Sequence, residues 1–246
     1  MNLGDWAALI VIAVGASTLA TVLFTQTFSM GSPTTVLLLQ KTQPLIAIGL
    51  AALMLREPLP GRFWLTAPVA LAGAFFIMFG DAGPLEFFGA TGGSPAGAAL
   101  ALGAAILWGA GTVLGRTLLG KLSFPTLTSL RFTLALPALA VVAFANGWGG
   151  VLAAEQWPNL LATALLSGLA GLLIYYRGLR ETPAAIATLC ELCFPISAVI
   201  LNYFLLGAAL TAYQAIGIVL LWGALAAMQH RSVPAGRRVA QVEPAT

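Results

Sequence analysis

A chain of 246 residues that is 59% hydrophobic and only 8% charged cannot cover a water-facing surface, for which soluble domains use about a quarter charged residues. The net charge of +3 does not signal nucleic acid, because the basic residues gather in a few short loops between apolar runs. With a mean hydropathy of +0.95, the composition points to an all-α polytopic membrane protein whose surroundings are the lipid bilayer.

Turn and charge clusters divide the chain into about eight apolar segments, at 5–29, 33–55, 62–80, 96–118, 126–147, 159–180, 183–206 and 210–229. The first is too long and lacks the basic flank of a signal peptide. The second holds "LLLQKTQPLIA", which sets Gln40, Lys41, Thr42, Gln43 and Pro44 inside an apolar helix. Arg131 lies near the start of the fifth, where its long side chain is expected to snorkel to the interface. The seventh carries Cys190, Glu191, Cys193 and Pro195. Its C-x-x-C spacing has no metal or redox context and reads as two buried small apolar residues. The connections "REPLPG", "GKLSFP" and "RETP" are short, whereas "DAGPLEFFGATGGSPAG" and "GWGGVLAAEQWPN" are longer and hold no Lys or Arg. A polar tail, 230–246, is expected to be disordered.

Positive charge orients the spans. With eight of them, the N-terminus, the loops after the second, fourth and sixth, and the tail share one side. That side holds Arg56, Arg62, Arg116, Lys121, Arg177, Arg180, Arg231, Arg237 and Arg238, and the opposite loops hold no basic residue but carry Asp81, Glu86 and Glu155. Nine against zero places both termini in the cytoplasm and the chain in the cell (inner) membrane.

The sequence also repeats itself. "FTQTFSMGSPTTVLLLQKTQPLIAIGLAALMLREPLPGRFW" is similar to "YYRGLRETPAAIATLCELCFPISAVILNYFLLGAALTAYQA", with Pro33 matching Pro183 and Pro44 matching Pro195 at an offset of 150 or 151. Segments one to three thus correspond to six to eight, yet the charge rule starts the first in the cytoplasm and the sixth outside. Inverted repeats of this kind mark secondary transporters, whose substrate site lies near the midplane between them.

The stretches "SPTTVLLLQKTQPLIAIGLAALMLREPL", "LWGAGTVLGRTLL", "LTSLRFTLALP" and "YYRGLRETPAAIATLCELCFPISAVILNYFLLG" resemble the drug/metabolite transporter superfamily of the EamA type. The resemblance implies two five-helix inverted repeats, ten helices in all, and cytoplasmic termini. It divides this chain into a truncated first repeat at 1–80, an extracytoplasmic linker at 81–95, a second repeat at 96–229 and a cytoplasmic tail at 230–246. The first two helices of the family pattern are absent, so Met1 reads as a misassigned start or the chain as a fragment. A second departure is Gly207-Ala208, where the family has an acid matching Glu57 of "REPL".

An ionisable group near the bilayer centre costs about 2.5–3.5 kcal/mol, so Lys41 and Glu191 are the leading candidates for function. Each lies ~12 Å from its end of the span, at 1.5 Å per residue, and the resemblance assigns both helices to a central cavity. Lys41 would meet an anionic group of a substrate, Glu191 an ammonium or a coupling proton, and the two are expected to meet as an ion pair or through water or substrate. Gln40 and Gln43 join them as candidate binding residues, Trp108 and Tyr175 as aromatic walls, and Pro44 and Pro195 as helix kinks. Runs of small residues such as "LLSGLAGLL" and "LALGAAILWGAG" are expected to serve close helix packing.

No metal, nucleotide or hydrolase motif occurs, so no cofactor, metal site or enzymatic activity is expected; "GATGGSPAG" lacks the Lys-Ser/Thr ending of a P-loop. The expectation is a secondary transporter that exports or exchanges a small-molecule metabolite by alternating access, coupled to a proton or other ion gradient and compatible with a homodimer. The alternative is a truncated, non-transporting remnant or membrane interaction subunit that needs another chain.

Overall fold

A computed structural model describes residues 1–30, 36, 39–57, 59–79, 95–147 and 154–229, and all of their regular structure is helical. Eight helices follow in order: α1 Leu3–Thr27, α2 Gln43–Met54, α3 Phe63–Phe79, α4 Pro95–Leu119, α5 Phe124–Ala145, α6 Ala154–Glu181, α7 Ala184–Leu206 and α8 Ala212–Gln229. Five of these (α1, α4, α5, α6 and α7) are long and apolar enough to cross a membrane, and α2, α3 and α8 are shorter apolar helices. The chain is an all-α polytopic membrane protein. The expected tail at 230–246, the linker at 81–95 apart from Pro95, and the repeat match at Pro33 lie outside the described residues.

Two helices are interrupted where the sequence suggests only kinks. A turn at Lys41–Thr42 precedes α2, and a turn at Glu191–Leu192 divides α7 into Ala184–Cys190 and Cys193–Leu206. The cause is the same in both. Pro44 and Pro195 have no N–H to offer the carbonyl four residues back, and their rings crowd it. Those carbonyls belong to Gln40 and Glu191, so the chain leaves the helix just after Gln40 in the first case and at Glu191 in the second.

A second pair of irregularities follows the repeat. Val11–Leu19 in α1 and Thr163–Ala170 in α6 are wound as π-helix, with backbone bonds spanning five residues. In α1 the side chains follow the same spacing: Ser17 Oγ donates to the Ile12 carbonyl at 3.1 Å and Thr18 Oγ1 to that of Ala13 at 3.4 Å. Such segments are rare and concentrate at functional sites.

Two apolar cores hold the bundle. One gathers Ile48, Phe63, Ile77, Val113, Leu189, Leu192, Ile196 and Leu221 from α2–α4, α7 and α8, and the other Leu9, Ile12, Leu118, Leu127, Tyr176, Leu179 and Ala187 from α1 and α4–α7. Two helices, α4 and α7, contribute to both, and the "LALGAAILWGAG" run of α4 does serve close packing. A Cβ on Gly109 would lie 3.2 Å from the Ala47 amide nitrogen of α2, and one on Gly111 2.7 Å from Ala16 Cβ of α1. At Gly73 and Gly217, α3 and α8 pack backbone on backbone, a Cβ on Gly217 falling 2.6 Å from the Gly73 carbonyl oxygen. The "LLSGLAGLL" run behaves otherwise: Gly168 and Gly171 meet no neighbouring helix and line a cavity instead. Large apolar side chains such as Leu65, Leu136, Phe144, Ile174 and Phe204 face outward, as lipid-facing surfaces require.

Polar ties close the helix ends. Asn2 and Asp5 cap α1 reciprocally, and Asp5 also accepts from Lys121 Nζ at 2.6 Å. Ser123 caps α5. Glu57 of "REPL" joins three helices: Oε1 takes Arg116 Nε of α4 at 3.2 Å and Oε2 takes the Ala184 N–H that opens α7 at 2.8 Å. Arg116 Nη1 in turn donates to the Arg180 carbonyl of α6.

Candidate functional site

The break in α7 sets Glu191 between the two cores. Its Oε1 accepts the Tyr175 hydroxyl of α6 at 2.7 Å, and its Oε2 accepts Gln43 Nε2 at 2.9 Å from the start of α2. Because Tyr175 gives its only proton to the carboxylate, Thr112 Oγ1 of α4, 3.1 Å from the Tyr175 oxygen, must donate to it. One carboxylate therefore ties together α2, α4, α6 and α7. All of its donors among the described residues are neutral.

Lys41 is not among them. The direct ion pair with Glu191 expected from sequence does not form; the Lys41 ammonium sits instead 5.4 Å from the centroid of the Phe194 ring, a cation–π arrangement. The reason is the break. Lys41 is in the turn and Gln43 opens the following helix, so Gln43 is the residue that aims at α7. Lys41 and Glu191 still line one cavity of 230 Å³ with Gln40, Gln43, Pro44, Leu192 and Phe194. Cys190 is exposed and Cys193 half-buried, both as free thiols, which corrects their expected burial: at the end of its half-helix Cys190 faces out of the bundle.

Trp108 and Tyr175, the expected aromatic walls, line a second and larger cavity of 350 Å³, together with Ser17, Thr21, Arg131 and Ser167. Trp108 is braced edge-on by Phe24 at 5.1 Å. Tyr175 also borders a third cavity beside Cys190 and Glu191, so its hydroxyl reaches the acidic centre while its flank faces the larger cavity.

Arg131 is the residue that sequence reasoning misplaced. It does not snorkel. Nε donates to Ser17 Oγ at 2.6 Å and Nη1 to the Tyr176 hydroxyl at 2.8 Å, with the guanidinium 5.8 Å from the Tyr176 ring centroid. Tyr176 is fully buried, so the arginine is drawn inward. The one available signal was depth: Arg131 stands seven residues into α5, ~10 Å from its start at 1.5 Å per residue.

A family comparison joins this geometry to known proteins: residues 1–79 and 95–228 match the EamA-like transporter family. The chain belongs to that family. A curated protein, the riboflavin transporter ImpX of Fusobacterium nucleatum subsp. nucleatum, is 36% identical over 191 residues, 76% of this chain and 63% of that protein. The chain thus spans less than two thirds of that relative's length. A crystal structure of another protein superposes with a TM-score of 0.72 at 17% identity, over 89% of this chain and 74% of that one, and so shares the fold. The two family-matched stretches take in the helices that carry Glu191, Gln43, Tyr175 and Arg131.

Proposed function

We propose that the protein is a secondary transporter that exports or exchanges a small metabolite across the inner membrane by alternating access, with both termini cytoplasmic. The observation that carries the reading is Glu191. Among the described residues, a carboxylate within the membrane is held only by neutral donors, one from each side of the pseudo-repeat, between two cavities. Such a group can exchange a proton or receive a substrate cation without first breaking a salt bridge. Lys41 on the same cavity supplies a positive charge for an acceptor group, and Gln40 and Gln43 orient what binds. Repeats at 1–80 and 96–229 rock about this centre, a motion that the paired breaks before Pro44 and Pro195 support.

For the substrate, the reading is a flavin-like compound, riboflavin first. Its supports are the riboflavin-transporting relative and the aromatic walls Trp108 and Tyr175 on the larger cavity. The test is counterflow of riboflavin into proteoliposomes. Wild type should exchange it, while Glu191→Gln and Lys41→Ala should each slow exchange at least tenfold. If both variants exchange at the wild-type rate, the polar centre is not the transport site.

A further inference from the structure

We propose that Arg131 forms a second recognition site, separate from the Lys41–Glu191 cavity, that binds the carbonyl-bearing edge of a planar ring. The proposal rests on the transporter reading above and adds where the ring docks.

A guanidinium has five N–H donors. Two of Arg131's have partners, Ser17 Oγ and the Tyr176 hydroxyl. The other three have none among the described residues, yet no nitrogen of Arg131 is both buried and unpartnered. Its spare donors are therefore not walled in by protein. The space they border is the 350 Å³ cavity.

Charge balance points the same way. The ion pairs among the described residues are Arg116 with Glu57 and Lys121 with Asp5. Arg131 has no carboxylate partner among the described residues, and neither has Lys41. Among the described residues, the interior thus sets two cations against the single carboxylate of Glu191. An arginine kept inside a membrane bundle on neutral partners is costly unless something else meets it, and oxygen acceptors in one plane match its fork best.

The cavity walls suit a flat ligand. Trp108, Phe132 and Tyr175 offer ring faces, Leu172, Gly168 and Gly171 offer room, and Ser17, Thr21 and Ser167 offer hydroxyls. Ser17 and Ser167 belong to the two π-helical segments, one in each repeat, so the cavity lies between the fold's matched irregularities. A ring lies against the aromatic side chains with its carbonyl oxygens on the guanidinium, while a hydroxylated arm meets the serines and threonine. Tyr175 borders this cavity and also holds Glu191, so ligand pressing on its ring bears on the acidic centre.

The test uses the full chain in detergent and two planar probes: riboflavin, which has ring carbonyls, and phenazine, which has none. Binding is read from fluorescence titration, with ligand-free melting recorded for each variant. Arg131→Met should weaken riboflavin about tenfold or more, the scale of one hydrogen bond to a charged group, and leave phenazine unchanged. Arg131→Lys, which keeps the charge and loses the fork, should fall between, and Ser17→Ala should weaken riboflavin about threefold by freeing the guanidinium. Should Arg131→Met fail to fold, Arg131→Lys and Ser17→Ala decide the matter. Riboflavin binding unchanged in the folded Arg131 variants, or a wild type that does not distinguish the two probes, overturns the proposal. The transporter reading fails on a different result, normal exchange by Glu191→Gln and Lys41→Ala, so the two failures are separable.

Discussion

Substituting Gly217 by alanine adds one methyl group where α8 meets α3. That methyl would stand 2.6 Å from the Gly73 carbonyl oxygen, 2.7 Å from the Ile77 amide nitrogen and 2.7 Å from Ile77 Cγ1. Two of the three obstacles are backbone, so no rotamer change relieves them and the helices must separate. Overpacking of this kind costs about 1–3 kcal/mol. Gly223, six residues along the same helix, has nothing within 4 Å of the point where a Cβ would stand, and alanine there gains up to about 1 kcal/mol of helix propensity. Two alanines on one helix should therefore differ by about 1–4 kcal/mol, the sum of those ranges. SDS-induced unfolding of the purified protein, followed by tryptophan fluorescence, measures the difference. A Gly217→Ala variant as stable as wild type would refute the backbone crossing, and an equal loss at Gly223 would refute its location.

Further outcomes follow from the polar ties. Glu57→Ala removes the α7 cap and the Arg116 pair together and should lower stability by about 1–2 kcal/mol, discounted for the partly exposed pair; Glu57→Gln, which keeps an acceptor, should lose less than half of that in the same unfolding assay. Tyr175→Phe deletes the donor to Glu191 Oε1 and should slow counterflow severalfold while leaving the fold intact by circular dichroism, and equal rates would show that the hydroxyl is idle. Gln43→Leu should resemble Tyr175→Phe, because it strips the other carboxylate oxygen; a double variant no worse than either single one would mark the two donors as a unit.

The sequence was legible where one residue's chemistry sufficed. Eight apolar segments led to the all-helical fold, and the repeat about Pro44 and Pro195 pointed to the paired breaks beside Gln40 and Glu191. Partners were less legible. Lys41 looked like the counter-ion because charges are easily paired on paper, but the break before Pro44 changes the helical register, so that Gln43 faces the carboxylate. Arg131 was hidden for another reason: its partners, Ser17 and Tyr176, lie 114 and 45 residues away. Nothing in the spacing of α5 says that α1 and α6 will bring hydroxyls to meet it. The π-helical segments were invisible as well, since their apolar composition fits an α-helix equally well.

The lone carboxylate at Glu57 has a consequence for how such a carrier spends its time. Two equivalent repeats would give two open forms of equal energy, each the counterpart of the other. Glu57 ties α2 to the start of α7, while the corresponding Gly207-Ala208 after α7 has no side-chain acceptor to return the favour. In a carrier of the proposed kind, about 1–2 kcal/mol for the cap and pair would favour the form that keeps them by a factor of about 5–30, biasing it before any substrate arrives.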